Sequence, residues 1–569
     1  MTMRRSVNQA LIKLTGYQLT RADAIVASNE RDRTPESASP WRRTYGCVDK
    51  ISRRVATGWV VGPANEFPVQ VALYLDDVKV RTVWTDQPTT ANTVDAAYSF
   101  RIPLRGIWDY CSPVTRVNVR LDGVPLPVAG KGIFKRTGTT GQSDLDELQR
   151  LLESGYVFND YGDLQLSKKL DHAWQAQVID MYRRVGDVVR DKHGHEIFVV
   201  YGTLLGQVRE RGFIAHDDDF DAAYVSRATS GSAAAAELRD IGLSLVDAGF
   251  DVDPRRTALH IHDSDDPRLR IDLFHLFFDE AGRLQMPFGR AGRTDLTVEA
   301  WQGTELAALG EHQVLVPKNA ELWVEHIYGE GWRQPQPGFN WDRARTAQGT
   351  DGFVLEQVRQ DVYWSNFYAH HETAGGSTFF DFINTYPGLP SAVVDIGCGD
   401  GRDSIAFATA GRFVVGVDRS HVGISHAAKT AAEHGLDNVS FEVGDVGDPE
   451  SVRELIKRTR EAAGGGPLLF YLRFFLHSLP EDVQDRLLTE LASRALPGDA
   501  FAAEFRTDKD AELQKVHGRH YRRYQNAAEF ATALQSSYGY TIDFEVEGTG
   551  LAPYKDEDPV VYRVVAFKR

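Results

Sequence analysis

The densest group of chemistry-bearing side chains in the sequence is the acidic run that begins at Asp217 and ends at Asp221, inside "EIFVVYGTLLGQVRERGFIAHDDDFDAAYV". The pattern predicts a strand over Ile197 to Tyr201, a turn at Gly202 and Thr203, a short helix, and a returning strand from Asp217 to Tyr224. Alternate strand residues share a face, so Asp217, Asp219 and Asp221 would project together while Phe220 faces the core. Three carboxylates on one face repel one another and become tolerable around a divalent cation, and an all-oxygen set selects Mg²⁺ or Mn²⁺ over zinc. The plainer alternative is a solvated acidic turn, against which stand the hydrophobic residues on both sides of the run. Asp272 is isolated in "RLRIDLFHLFF", where Ile271, Leu273 and Phe274 mark a buried strand, and a lone carboxylate there needs a partner. His260, His262 and His275 read as structural, because an alternating pair on a strand supplies one ligand face and no further ligand is evident.

A second constellation lies in "AVVDIGCGDGRDSIAFATAGRFVVGVDRS": an apolar strand, a glycine turn at Gly397, Gly399 and Gly401, a helix, and a strand ending at Asp418. Backbone can approach a ligand closely at such glycines, and an acid closing the second strand is placed to accept from ribose hydroxyls. The spacing is Gly-x-Gly-x-Gly, not the Gly-x-Gly-x-x-Gly of dinucleotide sites. Asp395 ahead of the turn would repel a pyrophosphate but suits the cationic methionine end of S-adenosylmethionine. "NVSFEVGDV" then places Asp445 after a third strand, where it suits an adenine amino group. Past a fourth strand at Pro467 to Leu472, Arg473 and His477 are four apart and share a side if "YLRFFLHSL" is helical. Arg506 to Tyr524 holds six Lys or Arg against three Asp or Glu, plus His517 and His520. This stretch reads either as a solvated helix face or as a site where Arg473, His517, His520, Arg522 and Arg523 hold an anionic methyl acceptor, since arginine's planar fork suits a phosphate. A neutral hydroxyl acceptor would instead need a base, and His477 is the histidine in the fourth-strand segment that could serve.

These elements need a large, multidomain scaffold. With 569 residues and 42% hydrophobic content the chain has room for three or four domains of roughly 150 residues, which excludes a single small binding module. A net charge of -16 repels polyanions and argues against nucleic acid as a partner. Cys47, Cys111 and Cys398 are scattered and odd in number, so neither a disulfide framework nor a cysteine zinc site fits, and the expectation is a cytoplasmic protein. No apolar run approaches the roughly 20 residues of a membrane span. Residues Asn8 to Leu19 suggest a short basic amphipathic helix; packing on its own protein is the plainer reading, and peripheral contact with the inner face of a membrane is the alternative. Ser28 to Arg42, polar and carrying Pro35 and Pro40, reads as a linker. From Tyr45 to about Pro127, alternating runs broken by turn residues predict a small β-sandwich, in which Trp59 fills the core more naturally than it stacks on a sugar.

Three resemblances follow from these segments. "YGTLLGQVRERGFIAHDDDFD" with Asp272 resembles the LicD branch of the nucleotidyltransferase-fold enzymes, to which bacterial phosphocholine transferases and fukutin-related ribitol-phosphate transferases belong, and "VPKNAELWVEHIYGEGW" with Pro335 resembles the end of that domain. His216 departs from the tryptophan of many members, which touches substrate selection more than metal binding. The resemblance implies that Asp219, Asp221 and Asp272 bind metal and that Asp217 completes the site or acts as base on an acceptor hydroxyl. It further implies that Gly202 and Thr203 let backbone amides approach donor phosphates, and that Arg209 or Arg211 neutralises them. The reaction implied is attack of a glycan hydroxyl on a CDP-activated donor with CMP leaving. The glycine-turn segment resembles the class I S-adenosylmethionine methyltransferases. "GCVDKISRRVATGWVVGPANEFPVQVALYLDD" resembles β-sandwich modules of bacterial capsule enzymes. The expected architecture is a helix and linker (1–43), a β-sandwich (44–135), an α+β nucleotidyltransferase-like domain (142–373) and an α/β Rossmann-like methyltransferase (374–569). The expected function is a bifunctional enzyme of surface-glycan modification, of unknown oligomeric state. Its alternatives are a nucleotidyltransferase that activates a phosphorylated sugar or alcohol beside the methyltransferase, and a glycan-binding scaffold with one active methyltransferase domain.

Overall fold

The computed structural model describes residues 45–62, 68–85, 88–89, 96–159, 161–286, 296–333, 353–371, 375–513, 515–516 and 520–569. The expected helix at Asn8 to Leu19, the linker at Ser28 to Arg42, Pro335 and His517 lie outside them. The chain divides into two units, one of Met1–Gly186, His195–Gly231 and Leu269–Gly352, the other of Asp187–Gly194, Ser232–Arg268 and Phe353–Arg569. Residues 232–268 thus group with the C-terminal part. Among the described residues no helix is long and apolar enough to cross a membrane.

The first unit opens with β1 (Tyr45–Ile51), β2 (Val55–Gly62), β3 (Gln70–Leu75), β4 (Val78–Trp84), β5 (Ala96–Pro103) and β6 (Arg116–Leu121). β1, β2 and β5 pair antiparallel in one sheet, and β4, β3 and β6 in another. The period-two pattern decides which side is inner: Val71, Leu73 and Leu75 are buried while Gln70, Ala72 and Tyr74 are not. They meet Val48, Val60, Phe100 and Ile102 of the first sheet in a shared core. Trp59 is also buried, but in a smaller cluster with Tyr45, whose ring meets it edge-on at 6.2 Å.

Further along come the hairpin β7 (Tyr156–Phe158) and β8 (Leu164–Leu166), α1 (His172–His193), β9 (Phe198–Val199), α2 (Tyr201–Glu210) and β10 (Asp221–Val225). After these follow α3 (Gly231–Asp247), β11 (Asp251–Pro254), β12 (Leu259–His262) and β13 (Arg270–Phe278). β10 pairs antiparallel with β9 and parallel with β13, in a register that sets Asp221 directly beside Asp272. The strand expected from Asp217 begins only at Asp221. The residues before it are held as a loop by long-range bonds: Lys168 N–H donates to the Ala215 carbonyl at 2.9 Å, and Gln165 Nε2 to the Asp217 carbonyl at 3.4 Å. Gly202 and Thr203 also differ from expectation, forming the first turn of α2 and not a separate turn.

In the second unit the hairpin of β11 and β12 packs against α4 (Glu356–His370), whose Asn366 side chain accepts from Val252 N–H at 2.8 Å and donates to Asp251 at 2.7 Å. Beyond it lie β14 (Ala392–Ile396), α5 (Arg402–Thr409), β15 (Phe413–Asp418), α6 (His421–Glu433), β16 (Val439–Val443), β17 (Leu468–Arg473), β18 (Ala500–Arg506), β19 (Tyr540–Gly548) and β20 (Val561–Lys568). They form a seven-stranded sheet of order β16-β15-β14-β17-β18-β20-β19, parallel except for β20, which runs antiparallel to both neighbours. Alternate residues supply opposite cores: Val394, Phe470 and Phe501 on one face, Val393, Leu469 and Ala502 on the other. Such two-sided burial is what near-continuous apolar strands encode. The strand order places the C-terminal ends of β14, β15 and β17 around one crevice, where open α/β sheets bind ligands.

Candidate functional site

The acidic site is built from the loop before β10, the start of α2 and the heads of β10 and β13. One carboxylate oxygen from each of Asp219, Asp221 and Asp272 lies within 4.8 Å of the others, and Asp217, Asp218 and Asp219 form a second such group. Burial first, then the charges of Asp219, Asp217 and Asp272, push the Asp221 carboxyl well above the usual carboxylate range, while the Gly202 N–H, donated at 3.0 Å, works the other way. Arg270 reaches into the group, with Nη2 2.6 Å from Asp219 and Nε 2.9 Å from Asp272. The carboxylates outnumber the one guanidinium seen among them in the described residues, and a divalent cation fits a partly buried all-oxygen set of this kind.

The sequence reading did not single out Arg270. It stands two residues before Asp272 on β13, and period-two spacing puts the two on one face. The hairpin residues were also missed: Asn159 Nδ2 lies 3.4 Å from Asp218, a contact that no local spacing encodes. Asp217 reaches the start of α2, where a Cβ at Gly202 would come within 2.8 Å of its oxygen. Gly202 and Thr203 are spent on the acids themselves, since the Thr203 hydroxyl accepts the backbone N–H of Asp221 at 2.9 Å. Arg209 pairs with Glu210 at 2.7 Å. Arg211 caps the far end of α2 and lines a separate surface pocket with Lys318 and Glu321, so the structure does not bring it to the carboxylates. His260 and His262 lie on β12, His275 is buried on β13, and none of them belongs to either acidic group. His216 lies in the acidic loop, where its carbonyl accepts from Gln165 at 3.5 Å.

In the second unit a cavity of about 330 Å³ opens at the C-terminal edge of the sheet, lined by Asp395, Gly397 and Asp418 on one side and by Arg473, His477 and Arg522 on another. A neighbouring pocket of about 160 Å³ shares Gly397 and Asp418 and adds Asp445. Burial pushes the Asp395 carboxyl up to about 8, and the 2.6 Å hydrogen bond from Ser404 only partly opposes this. Asp418 accepts from Gly399 N–H at 3.0 Å and from Ser420 N–H at 2.8 Å, which ties the end of β15 to the glycine turn. The turn must be glycine. At Gly397 (φ +77) a Cβ would lie 2.1 Å from the Phe475 ring, and at Gly399 (φ +57) 2.3 Å from the Tyr368 hydroxyl. Gly401 precedes α5 as its N-cap.

Residues 194–319 match the model of the LicD/FKTN/FKRP nucleotidyltransferase domain, and residues 391–455 match that of a methyltransferase domain. The chain joins a LicD-type domain to a methyltransferase domain. Among solved structures, an S-adenosylmethionine-dependent methyltransferase from Anabaena variabilis is 18% identical, with 37% of this chain and 93% of that chain covered and a TM-score of 0.29. A counterpart from Methanosarcina mazei is 17% identical over 32% of this chain and 97% of that chain, TM-score 0.26. The magnesium protoporphyrin IX methyltransferase of Synechocystis, solved with bound SAH, is 17% identical over 38% and 88%, TM-score 0.25.

Within the methyltransferase domain, Asp395, Gly397, Gly399, Gly401, Asp418 and Asp445 all sit on strand ends or the turn between them. Arg473 and His477 do not lie on a helix: β17 ends at Arg473, Phe474 takes φ +50, and Leu476–Ser478 is a short 3₁₀ turn. Arg473 is drawn into carboxylates, with Nε 3.3 Å from Glu504 and 3.8 Å from Asp403. The basic stretch holds one 3₁₀ turn, Asp508–Asp510, and no α-helix among its described residues. His520 and Arg522 line the cavity, whereas Arg523 turns to the Leu479 carbonyl at 3.3 Å and to Glu481 at 4.0 Å.

Proposed function

We propose that this chain is a bifunctional cytoplasmic transferase that modifies a surface glycan. The LicD-type domain transfers a phospho-alditol or phosphocholine-like group from a CDP-activated donor, and the methyltransferase domain O-methylates the glycan or its phosphate substituent. The observation that carries this reading is the grouping of carboxylates at each site, Asp219, Asp221 and Asp272 at one and the buried Asp395 and Asp418 at the other, where a cationic ligand fits.

In the LicD-type domain, Asp219, Asp221 and Asp272 would hold Mg²⁺ or Mn²⁺, which supplies charge neutralisation for the leaving CMP. Arg270 keeps Asp219 and Asp272 apart and oriented. Asp217, beside the start of α2, is the base for the acceptor hydroxyl, whose oxygen attacks the distal phosphorus. In the methyltransferase domain, S-adenosylmethionine supplies an electrophilic methyl group. Asp395 would hold its ammonium end, Asp418 its ribose and Asp445 its adenine.

The test incubates the full-length chain with Mg²⁺, CDP-choline or CDP-ribitol as probe, and a dephosphorylated surface glycan. CMP released in step with glycan phosphorylation supports the reading. Pyrophosphate formed from CTP and a phosphorylated alcohol, with no CMP release, would replace it by a nucleotidyltransferase.

A further inference from the structure

His477 has a fixed place in the wall of the methyltransferase cavity. Its carbonyl accepts the Arg523 N–H at 2.7 Å, and its ring Nδ1 accepts the backbone N–H of Arg506 at 3.3 Å. A neutral imidazole carries one proton, and a nitrogen that accepts from an amide cannot be the one that bears it. The proton therefore sits on Nε2, and the ring can offer the cavity a hydrogen bond but no lone pair. A second proton is disfavoured, because burial first, and then Arg506, His520 and Arg522, push the imidazole well below its ordinary range. Cationic side chains share this wall. Arg506 is engaged by Asp510 at 2.8 Å and Glu557 at 2.5 Å, and Arg522 lines the same cavity beside it, its charge disfavoured by burial and Arg506 and favoured by Tyr524 and Glu557. His520 completes the group, its ring packed at 4.9 Å from Trp364 and its Nδ1 3.1 Å from the Tyr363 hydroxyl.

We propose that the methyl acceptor enters as an oxyanion, a phosphate or carboxylate oxygen held by His477 Nε2–H and Arg522, and that His477 is a hydrogen-bond donor to it and not a base. This rests on the reading of the domain as a working S-adenosylmethionine methyltransferase. The step balances without proton transfer: an anionic oxygen lone pair forms the O–CH₃ bond, the CH₃–S bond breaks with its electron pair going to sulfur, and the positive sulfonium and one negative charge vanish together. A hydroxyl acceptor would release a proton that His477 has no lone pair facing the cavity to take.

The experiment uses the full-length chain saturated with S-adenosylhomocysteine and titrates inorganic phosphate and, separately, acetate by calorimetry. Saturable binding is expected for one of the two, and which one distinguishes a phosphorylated glycan from a uronic acid as the source of the oxyanion. Arg522→Ala and His477→Phe should weaken it at least tenfold, whereas His477→Gln, which keeps an N–H donor, should stay within about threefold of wild type. Each variant's affinity for S-adenosylhomocysteine reports its folding. A wild type that binds S-adenosylhomocysteine but neither anion overturns the inference and leaves the cofactor reading standing, as does His477→Gln behaving like His477→Phe. A wild type that binds no S-adenosylhomocysteine overturns the cofactor reading and takes the inference with it.

Discussion

Asp395→Asn should separate the charge of the cofactor site from its shape. Asparagine keeps the size and can still accept the Ser404 hydrogen bond, but removes a charge that burial opposes. The carboxyl titrates near 8 in the folded chain against 3.8 ordinarily, so between those values the unfolded chain is ionised while the folded one retains its proton. Wild-type stability contributed by this group is therefore complete below about pH 4 and is lost as pH rises toward 8. At 1.36 kcal/mol per unit the whole interval is worth about 6 kcal/mol, and relaxation around a buried carboxylate reduces this to roughly 2–3 kcal/mol. The variant should thus match wild type near pH 4.5 and exceed it by that amount at pH 8. Ligand-free full-length protein is melted at a series of pH values, following the transition that S-adenosylmethionine shifts in wild type. The variant should gain stability and lose the ligand-induced shift. Equal or lower stability at pH 8, or an undiminished shift, refutes the assignment of Asp395 as the unpaid charge that the cofactor's ammonium compensates.

Asp219→Asn and Asp221→Asn should each abolish phosphotransfer while methyl transfer continues, because the acids and the glycine turn lie in different units; residual transfer within tenfold of wild type in Mg²⁺ or Mn²⁺ would remove them from the site. Arg270→Gln should destabilise the ligand-free first unit by about 1–3 kcal/mol through exposed repulsion between Asp219 and Asp272, and added Mg²⁺ should restore most of the loss; thermal melts with and without the ion check this, and insensitivity to Mg²⁺ contradicts it. Gly397→Ala should cost roughly 2 kcal/mol or more, from a positive φ and the Phe475 contact, and should abolish S-adenosylmethionine binding by calorimetry.

The sequence made the methyltransferase site legible to a greater depth than the LicD-type site, for a physical reason. Asp395, Gly397 and Asp418 are positioned by local strand-turn-helix geometry, so their spacing along the chain carries their placement. The structure brings Asp217 and Asp219 near Asp221, but from a loop and not from the strand that the alternation suggests. They lie in a loop held by Gln165, Asn159 and Arg270, and contacts across 50 residues or more leave no periodic trace. Arg473 and His477 show the converse failure. Their four-residue spacing suggests one helix face, yet Phe474 at positive φ breaks the chain there, and the two reach one cavity with different partners. The basic stretch after Arg506 read as a charge pattern; only the fold shows that Arg506 itself is engaged by Asp510 and Glu557 and that Arg522 faces the cavity.

On the function proposed above, two transferase sites in one chain modify one glycan. Mass spectrometry of the surface glycan from cells whose only copy is wild type, Asp221→Asn or Asp395→Asn tests it most directly. Asp221→Asn should remove the phosphate-linked substituent, and Asp395→Asn should remove the methyl group while the substituent stays. A glycan that keeps both groups in both variants would contradict it.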